Sequence, residues 1–223
     1  MSPQPLPESP WVFAPERWPE EECVAAGADL EPATLIAAYR AGAFPMPLGG
    51  LDAMAWWSPT VRGVLGLDDL HVSRSLRRSI ARYDITVDTS FADVVSACAD
   101  PSRAGAWIDP PIAAAYVRLH DLGWAHSIEV REWGGSLVGG LYGVAIGGLF
   151  AGESMFHHAR DASKVALVAL VDVLGDDNGG ARLIDVQWQT PHLATLGVTT
   201  MARRDYLAAL PGLLEVPLPS RWA

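Results

Sequence analysis

The chain has 223 residues, half of them apolar, and a formal net charge of −10. That length allows one large domain or a small one joined to a medium one, and the acidic balance argues against bulk, sequence-blind nucleic-acid binding. Its two cysteines, Cys23 and Cys98, lie far apart and form no CxxC, which disfavours a disulfide framework or a cysteine metal site and fits a reducing cytoplasm.

The opening residues Met1-Ser2-Pro3-Gln4-Pro5 have neither a basic stretch nor an apolar core, so they do not read as a signal peptide. Residues 1 to about 22 are rich in Pro and Glu and read as irregular. Pro32 to Ala41 carries apolar residues at helical spacing, with Gly42 as the stop. Phe44-Pro45-Met46-Pro47 through Trp56-Trp57-Ser58-Pro59 is proline-punctuated and aromatic, and a domain boundary is expected near Gly63 to Asp69. Ser73 opens a helix to about Arg82, and Ser90 with Asp93 makes a capping-box pattern for the next. Asp109-Pro110 is an N-cap and first-turn pair for a helix stopped by Gly123.

His126 to Trp133 alternates as a strand, and Gly134-Gly135 signals a hairpin. Leu137 to Ile146 and Leu149 to Phe156 read as two more strands around Gly147-Gly148. The longest uncharged run, Leu137 to Gly152, is too short for the roughly 20 residues of a membrane-spanning helix. Asp161 caps an apolar helix from Val165 to Leu174; the strand Leu183-Ile184-Asp185-Val186-Gln187-Trp188 follows, then a short helix from Thr190-Pro191 ending at Gly197 and a last one from Asp205. A helix set between strands, beside antiparallel ones, indicates an α+β sheet domain.

Several constellations stand out. Asp185 and Gln187 alternate onto one strand face roughly 6.6 Å apart, while Ile184, Val186 and Trp188 take the other, which reads as core. A carboxylate and an amide on a buried strand are costly unless paired. They form either a structural hydrogen-bond pair or a site. Arg74, Arg77, Arg78 and Arg82 recur at i, i+3, i+4 and i+8, one wholly basic helical face. Such a stripe suits phosphate-backbone contact or is a solvated face paired with nearby carboxylates. Trp57 and Trp107 sit in apparent loops, where tryptophans stack on bases or plug an interface. Glu153 has His157 and His158 nearby, but adjacent strand histidines point to opposite faces, a poor metal geometry. Gly152-Glu153-Ser154-Met155-Phe156 is not the GxSxG elbow, because Phe156 replaces the last glycine.

Together these residues resemble the leucyl/phenylalanyl-tRNA–protein transferases. The resemblance rests on Phe44-Pro45-Met46, Trp56-Trp57-Ser58-Pro59, Arg62-Gly63-Val64, His71 to Arg78, Trp107-Ile108 and Ala125 to Glu129. It continues through Leu137 to Val144, Gly152 to Phe156, Ala162-Ser163-Lys164, Ile184 to Gln187 and His192-Leu193. It implies a small N-terminal α/β domain, residues 1–65, and a C-terminal acetyltransferase-like (GNAT-type) mixed-sheet domain, residues 66–223. It implies transfer of Leu, Phe or Met from aminoacyl-tRNA to the α-amino group of proteins beginning with Arg or Lys, which tags them for N-degron degradation. A cytoplasmic monomer, with no membrane partner, no metal and no organic cofactor, is expected.

In that reading Asp185 polarises and orients Gln187, whose carbonyl oxygen accepts a hydrogen bond from the attacking amine, and Glu153 helps hold the cationic acceptor. The arginine stripe grips tRNA, Trp107 stacks on the terminal adenine and Trp57 lies close by. Leu141, Phe150, Leu167, Leu170 and Leu174 line the aminoacyl pocket. Leu141 stands where the family often has methionine, and Thr190 where some members have asparagine. An acyl-CoA N-acetyltransferase would want a glycine-rich pyrophosphate loop, and none is evident. A non-catalytic tRNA-binding module would leave Asp185, Gln187 and Glu153 unused.

Overall fold

A computed structural model describes residues 2–49, 53–103, 105–176 and 178–223; Met1 of the leader lies outside them. Three short strands, β1 (Cys23–Ala26), β2 (Phe44–Pro47) and β3 (Met54–Trp57), make an antiparallel sheet in the order β1-β3-β2. Helix α1 (Pro32–Ala41) packs beside it. Proline occupies its first turn, where a missing N–H costs nothing, and Gly42 ends it at φ 89°, returning its N–H to the Tyr39 carbonyl.

Seven strands form the larger sheet: β4 (Val61–Gly66), β5 (Tyr83–Val87), β6 (Ala125–Glu132), β7 (Leu137–Ile146), β8 (Leu149–His157), β9 (Leu183–Gln187) and β10 (Thr199–Ala202). Their order is β10-β4-β9-β8-β7-β6-β5. Neighbours are antiparallel except β8 and β9, which run parallel because α5 (Ala162–Leu174) crosses between them. The architecture is the α+β mixed sheet expected.

Each face of the sheet buries its own core. Helices α1, α3 (Phe91–Cys98) and α4 (Pro110–Asp121) cover one side around Tyr39, Tyr116 and Tyr142. Helices α5 and α2 (Arg74–Ile80) cover the other around Phe150, Leu167 and Leu170. A one-turn helix, α6 (Pro191–Ala194), leads to β10, and α7 (Arg203–Glu215) returns along the sheet.

The helix signals fare unevenly. Ser73 accepts the Leu76 N–H at 3.2 Å and Asp109 the Ile112 N–H at 2.9 Å, both as caps. Ser90 forms no capping box, because its Oγ accepts from Arg131 at 2.6 Å instead. Asp161 sits at the start of α5 at φ 62°, yet its carboxylate faces Ser79 and Lys164 and not the helix N–H groups.

The leader is tied down by packing without regular structure. Gln4 exchanges hydrogen bonds with Leu122 and the Trp124 indole, and Phe13 meets the Trp56 ring edge-on at 4.8 Å. The stretch Val61–Gly66, which spans the expected boundary, is a strand of the larger sheet, between β10 and β9.

Candidate functional site

Parallel strands β8 and β9 pair at Leu149–Leu183, Phe150–Ile184 and Ala151–Asp185, and there the pairing stops. Both strands continue, to His157 and Gln187. They diverge, and a cavity of about 260 Å³ opens between them. Gly152, Glu153, Ser154 and Met155 line it from β8, and Ile184, Val186 and Gln187 from β9. Leu167 and Leu170 of α5 and Leu141 and Tyr142 of β7 close the interior; Thr190, His192 and Leu193 stand at the α6 end.

Two β-bulges shape the opening. On β8, Tyr142 pairs with Ser154 and Gly143 with Gly152, so Glu153 is the extra residue. On β9, Gly63 pairs with Gln187 and Val64 with Asp185, so Val186 is extra. A bulge breaks strict alternation and re-aims side chains. Glu153 turns toward α1 and α4, hydrogen-bonded to the Tyr39 and Tyr116 hydroxyls at 2.6 Å each. Burial pushes its carboxyl up to about 7; the two hydroxyl bonds and Arg62 pull the other way, and the charge of Asp185 adds to the rise.

Asp185 is fully buried and accepts four hydrogen bonds. Arg62 grips it two-pronged, Nε to Oδ1 at 2.8 Å and Nη2 to Oδ2 at 2.5 Å. The Tyr206 hydroxyl adds 2.9 Å to Oδ2, and the Gln187 main-chain N–H 2.9 Å to Oδ1. Arg62 is held in turn by the Gly42 carbonyl at 3.1 Å and lies over the Tyr206 and Phe44 rings at 4.5 and 5.0 Å.

The strand alternation expected for this segment is therefore broken. Asp185 faces Arg62 and Tyr206, while Gln187 joins Ile184 and Val186 on the cavity side. Asp185 acts on the Gln187 main chain, not on its amide. Gln187 stands at φ 61°, and the Trp188 N–H donates to the Val186 carbonyl at 2.8 Å across it, a tight γ-turn. A left-handed non-glycine residue costs on the order of 1–3 kcal/mol, and the bond into Asp185 offsets part of it. Gly63 makes room beside this turn: a Cβ there would stand 2.6 Å from the Gln189 nitrogen. The turn leaves Gln187 Nε2 buried and without a protein partner, as is the Tyr142 hydroxyl.

Four of the five expected pocket residues, Leu141, Phe150, Leu167 and Leu170, line the cavity. Leu174 does not: one turn beyond Leu170 on α5, it is buried in the core. Trp57 is on β3, not in a loop; its indole N–H goes to the Met46 carbonyl and its ring meets Trp188. Trp107 precedes α4, half-buried, and neither tryptophan lines the cavity. Arg74, Arg77, Arg78 and Arg82 are all exposed, while Leu76 and Ser79 face inward. Among the described residues none of the four forms an ion pair, so the arginine face is not paired with carboxylates. His192 lines the cavity and is held below its usual range by burial and by neighbouring Lys164 and His157.

Sequence reasoning did not find Arg62, Tyr206, Tyr39 or Tyr116. The one available signal was Arg62, a lone charge inside the apolar run Val61-Arg62-Gly63-Val64-Leu65.

Comparison with known proteins identifies the family. The family model described as leucyl/phenylalanyl-tRNA protein transferase matches residues 64–211, and the model of that family's N-terminal domain matches residues 28–60. The chain is 48% identical over 203 residues to the leucyl/phenylalanyl-tRNA–protein transferase of Stutzerimonas stutzeri, covering 89% of this chain and 88% of the relative. It is 51% identical over 189 residues to that of Cereibacter sphaeroides, covering 83% and 86%. Among solved structures, L-PGS from Bacillus licheniformis aligns at TM-score 0.40 and 10% identity, over 68% of this chain and 56% of that one. A tandem GNAT protein of clavulanic acid biosynthesis aligns at 0.39 and 14%, over 82% and 62%. The family models and the relatives agree along the length of the chain: it belongs to the leucyl/phenylalanyl-tRNA protein transferase family and is an aminoacyltransferase.

Proposed function

We propose that this aminoacyltransferase, whose substrates are aminoacyl-tRNA and protein, moves Leu, Phe or Met onto the α-amino group of chains beginning with Arg or Lys. The single observation that carries the site assignment is the cavity between β8 and β9, apolar inside with Gln187 and Glu153 on its walls. Its about 260 Å³ lies just below the roughly 300–1,000 Å³ of small-molecule pockets and suits one apolar side chain. Leu141, Phe150, Leu167 and Leu170 supply that lining. An apolar pocket discriminates by about 1–3 kcal/mol per methylene, so it tolerates Leu, Phe and Met while β-branched residues clash.

The aminoacyl ester is already activated, so no covalent enzyme intermediate is needed. An α-amine has a pKa of about 7.7–8 and is partly neutral at neutral pH. What remains is to orient it and accept its proton as the tetrahedral centre forms. Gln187 has the right chemistry for orientation: its carbonyl oxygen accepts from the amine, and its unpartnered Nε2–H donates to the ester carbonyl as negative charge builds there. Asp185, braced by Arg62 and Tyr206, keeps the γ-turn that aims Gln187. Glu153 meets the cationic acceptor terminus.

Donor tRNA is held by the arginines of α2 and by Arg82, with Trp107 on the terminal adenine and Trp57 nearby. Among the described residues no helix is long and apolar enough to cross a membrane. A cytoplasmic monomer in the N-degron pathway, divided near residues 65 and 66 with β4 shared between the parts, completes the reading.

The test is transfer of radiolabelled leucine from charged tRNA to a peptide beginning with Arg, against the same peptide beginning with Ala. Label on the Arg peptide alone is the expected result. Equal labelling of both peptides, or none with the tRNA still bound, removes this acceptor rule.

A further inference from the structure

Three oxygen–oxygen contacts close a ring at Glu153, one of the residues that line the cavity. Tyr39 Oη lies 2.6 Å from Glu153 Oε1, Tyr116 Oη 2.6 Å from Glu153 Oε2, and the two hydroxyls 2.6 Å from each other. Each hydrogen bond needs one proton, and a tyrosine brings only one. Two tyrosines and an ionised carboxylate bring two protons to three contacts, leaving one pair of oxygens at 2.6 Å with nothing between them. Two tyrosines and a carboxylic acid bring three. The acid donates to Tyr39, Tyr39 to Tyr116, and Tyr116 back to the second carboxyl oxygen. The closed ring is therefore the neutral form of Glu153.

The surroundings favour the same form. Both tyrosines are essentially inaccessible, and Glu153, which lines the cavity, is 9% exposed. The charged groups that face it are Asp185 of β9, which opposes ionisation, and Arg62 of β4, which is already committed to Asp185. Tyr142 of β7 and Gln187 across the cavity are neutral, and among the described residues Glu153 has no ion-pair partner. Burial raises the carboxyl to about 7 despite the pull of Arg62 and the two hydroxyls.

We propose that its buried setting keeps Glu153 a neutral acid in the empty acceptor site, that Tyr39 and Tyr116 are positioning residues that close the ring with the acid and hold the carboxylate once it forms, and that docking of a cationic terminus drives its proton out. The step rests on the reading of Glu153 as the acceptor-binding residue. The Glu153 O–H bond breaks, the proton passes to solvent, and the carboxylate pairs with the incoming guanidinium or ammonium while both hydroxyls donate to it. A terminus without a cationic side chain meets an acid and gains no ion pair, so the ring penalises the wrong acceptor before chemistry begins.

Two measurements on the full chain decide this. The infrared difference between wild type and Glu153→Gln, free of substrate at about pH 6, should show a protonated carboxyl that disappears by about pH 8.5. A carboxylate already present at about pH 6 overturns the neutral ring. Calorimetry of an Arg-starting peptide, in buffers of different ionisation heat at about pH 6, should show proton release in wild type beyond that in Glu153→Gln. Equal release in the two overturns the coupling. A peptide that does not bind overturns the acceptor site itself, while the infrared result still stands for or against the ring. Tyr116→Phe should move the pH midpoint of the acceptor KM upward and hold kcat at saturating acceptor within about twofold, since the anion loses a charge-assisted bond. An unmoved midpoint makes the tyrosines mere packing.

Discussion

Asp185 binds Arg62 with both oxygens, and its remaining bonds go to Tyr206 and the Gln187 main chain. Removing one partner of such a pair leaves the other charged and dry, at a cost of about 3–5 kcal/mol. Asp185→Ala is expected to lower stability by that order in denaturant unfolding. It should also reduce transfer about tenfold or more through a misaimed Gln187, while filter binding shows tRNA affinity near wild type. Wild-type turnover would remove the brace from the mechanism.

Glu153 carries a separate pH signature. Its folded pKa of about 7 stands above its unfolded value near 4.5, so the folded state holds the extra proton. The stability it contributes is complete below about 4.5 and is lost as pH rises through about 7. Over that window, wild type should lose on the order of 3 kcal/mol relative to Glu153→Gln in denaturant titrations, and parallel pH profiles would contradict the assignment. Asp185, Gln187 and Glu153 were legible because polar residues interrupt apolar runs. Tyr39 and Tyr116 were not, because a tyrosine on an apolar helix face reads as core. Which residue a buried Arg62 meets is decided 123 positions away.

At the scale of elements, helix α2 shows what spacing alone can establish. Its three arginines and Arg82 just beyond its end are all exposed and without ion pairs among the described residues, so the charge is available to a polyanion. Reversing Arg77 and Arg78 to Glu should weaken tRNA binding and flatten its dependence on salt by about two counterions' worth of slope. An unchanged affinity and slope would move the tRNA site elsewhere. Helix starts at Ser73 and Asp109 were legible from local chemistry, since a cap is satisfied within one turn. Ser90 and Asp161 carry the same signal but are claimed by Arg131 and by Ser79 with Lys164, partners that local spacing cannot show. The bulges at Glu153 and Val186 escaped for a related reason: a bulge is a mismatch between two strands, and neither strand states it alone.

Across the whole molecule, the Pro-rich leader and strand β4 stitch the parts together. Arg203 at the start of α7 donates to the Pro19 and Glu21 carbonyls, and the Trp188 indole, next to the γ-turn, donates to Glu22. Deleting residues 2–22 should therefore lower the melting temperature and reduce transfer together, measured by thermal unfolding and the label assay. A variant as stable and active as the full chain would show these ties to be idle. The leader's role was illegible because its composition reads as loop, while its anchoring depends on groups far along the chain.

Strand β4 carries a further consequence. It must lie between β9 and β10, which are made long after it, and Arg62 meets Asp185 only 123 residues later. At synthesis rates of about 5–20 residues per second, that is a wait of about 6–25 s. Throughout it, an apolar strand with two open edges and an unpaired guanidinium waits on the ribosome without either of its neighbours. The pairing that braces the γ-turn in the folded chain thus leaves the nascent chain open to mispairing while it is made.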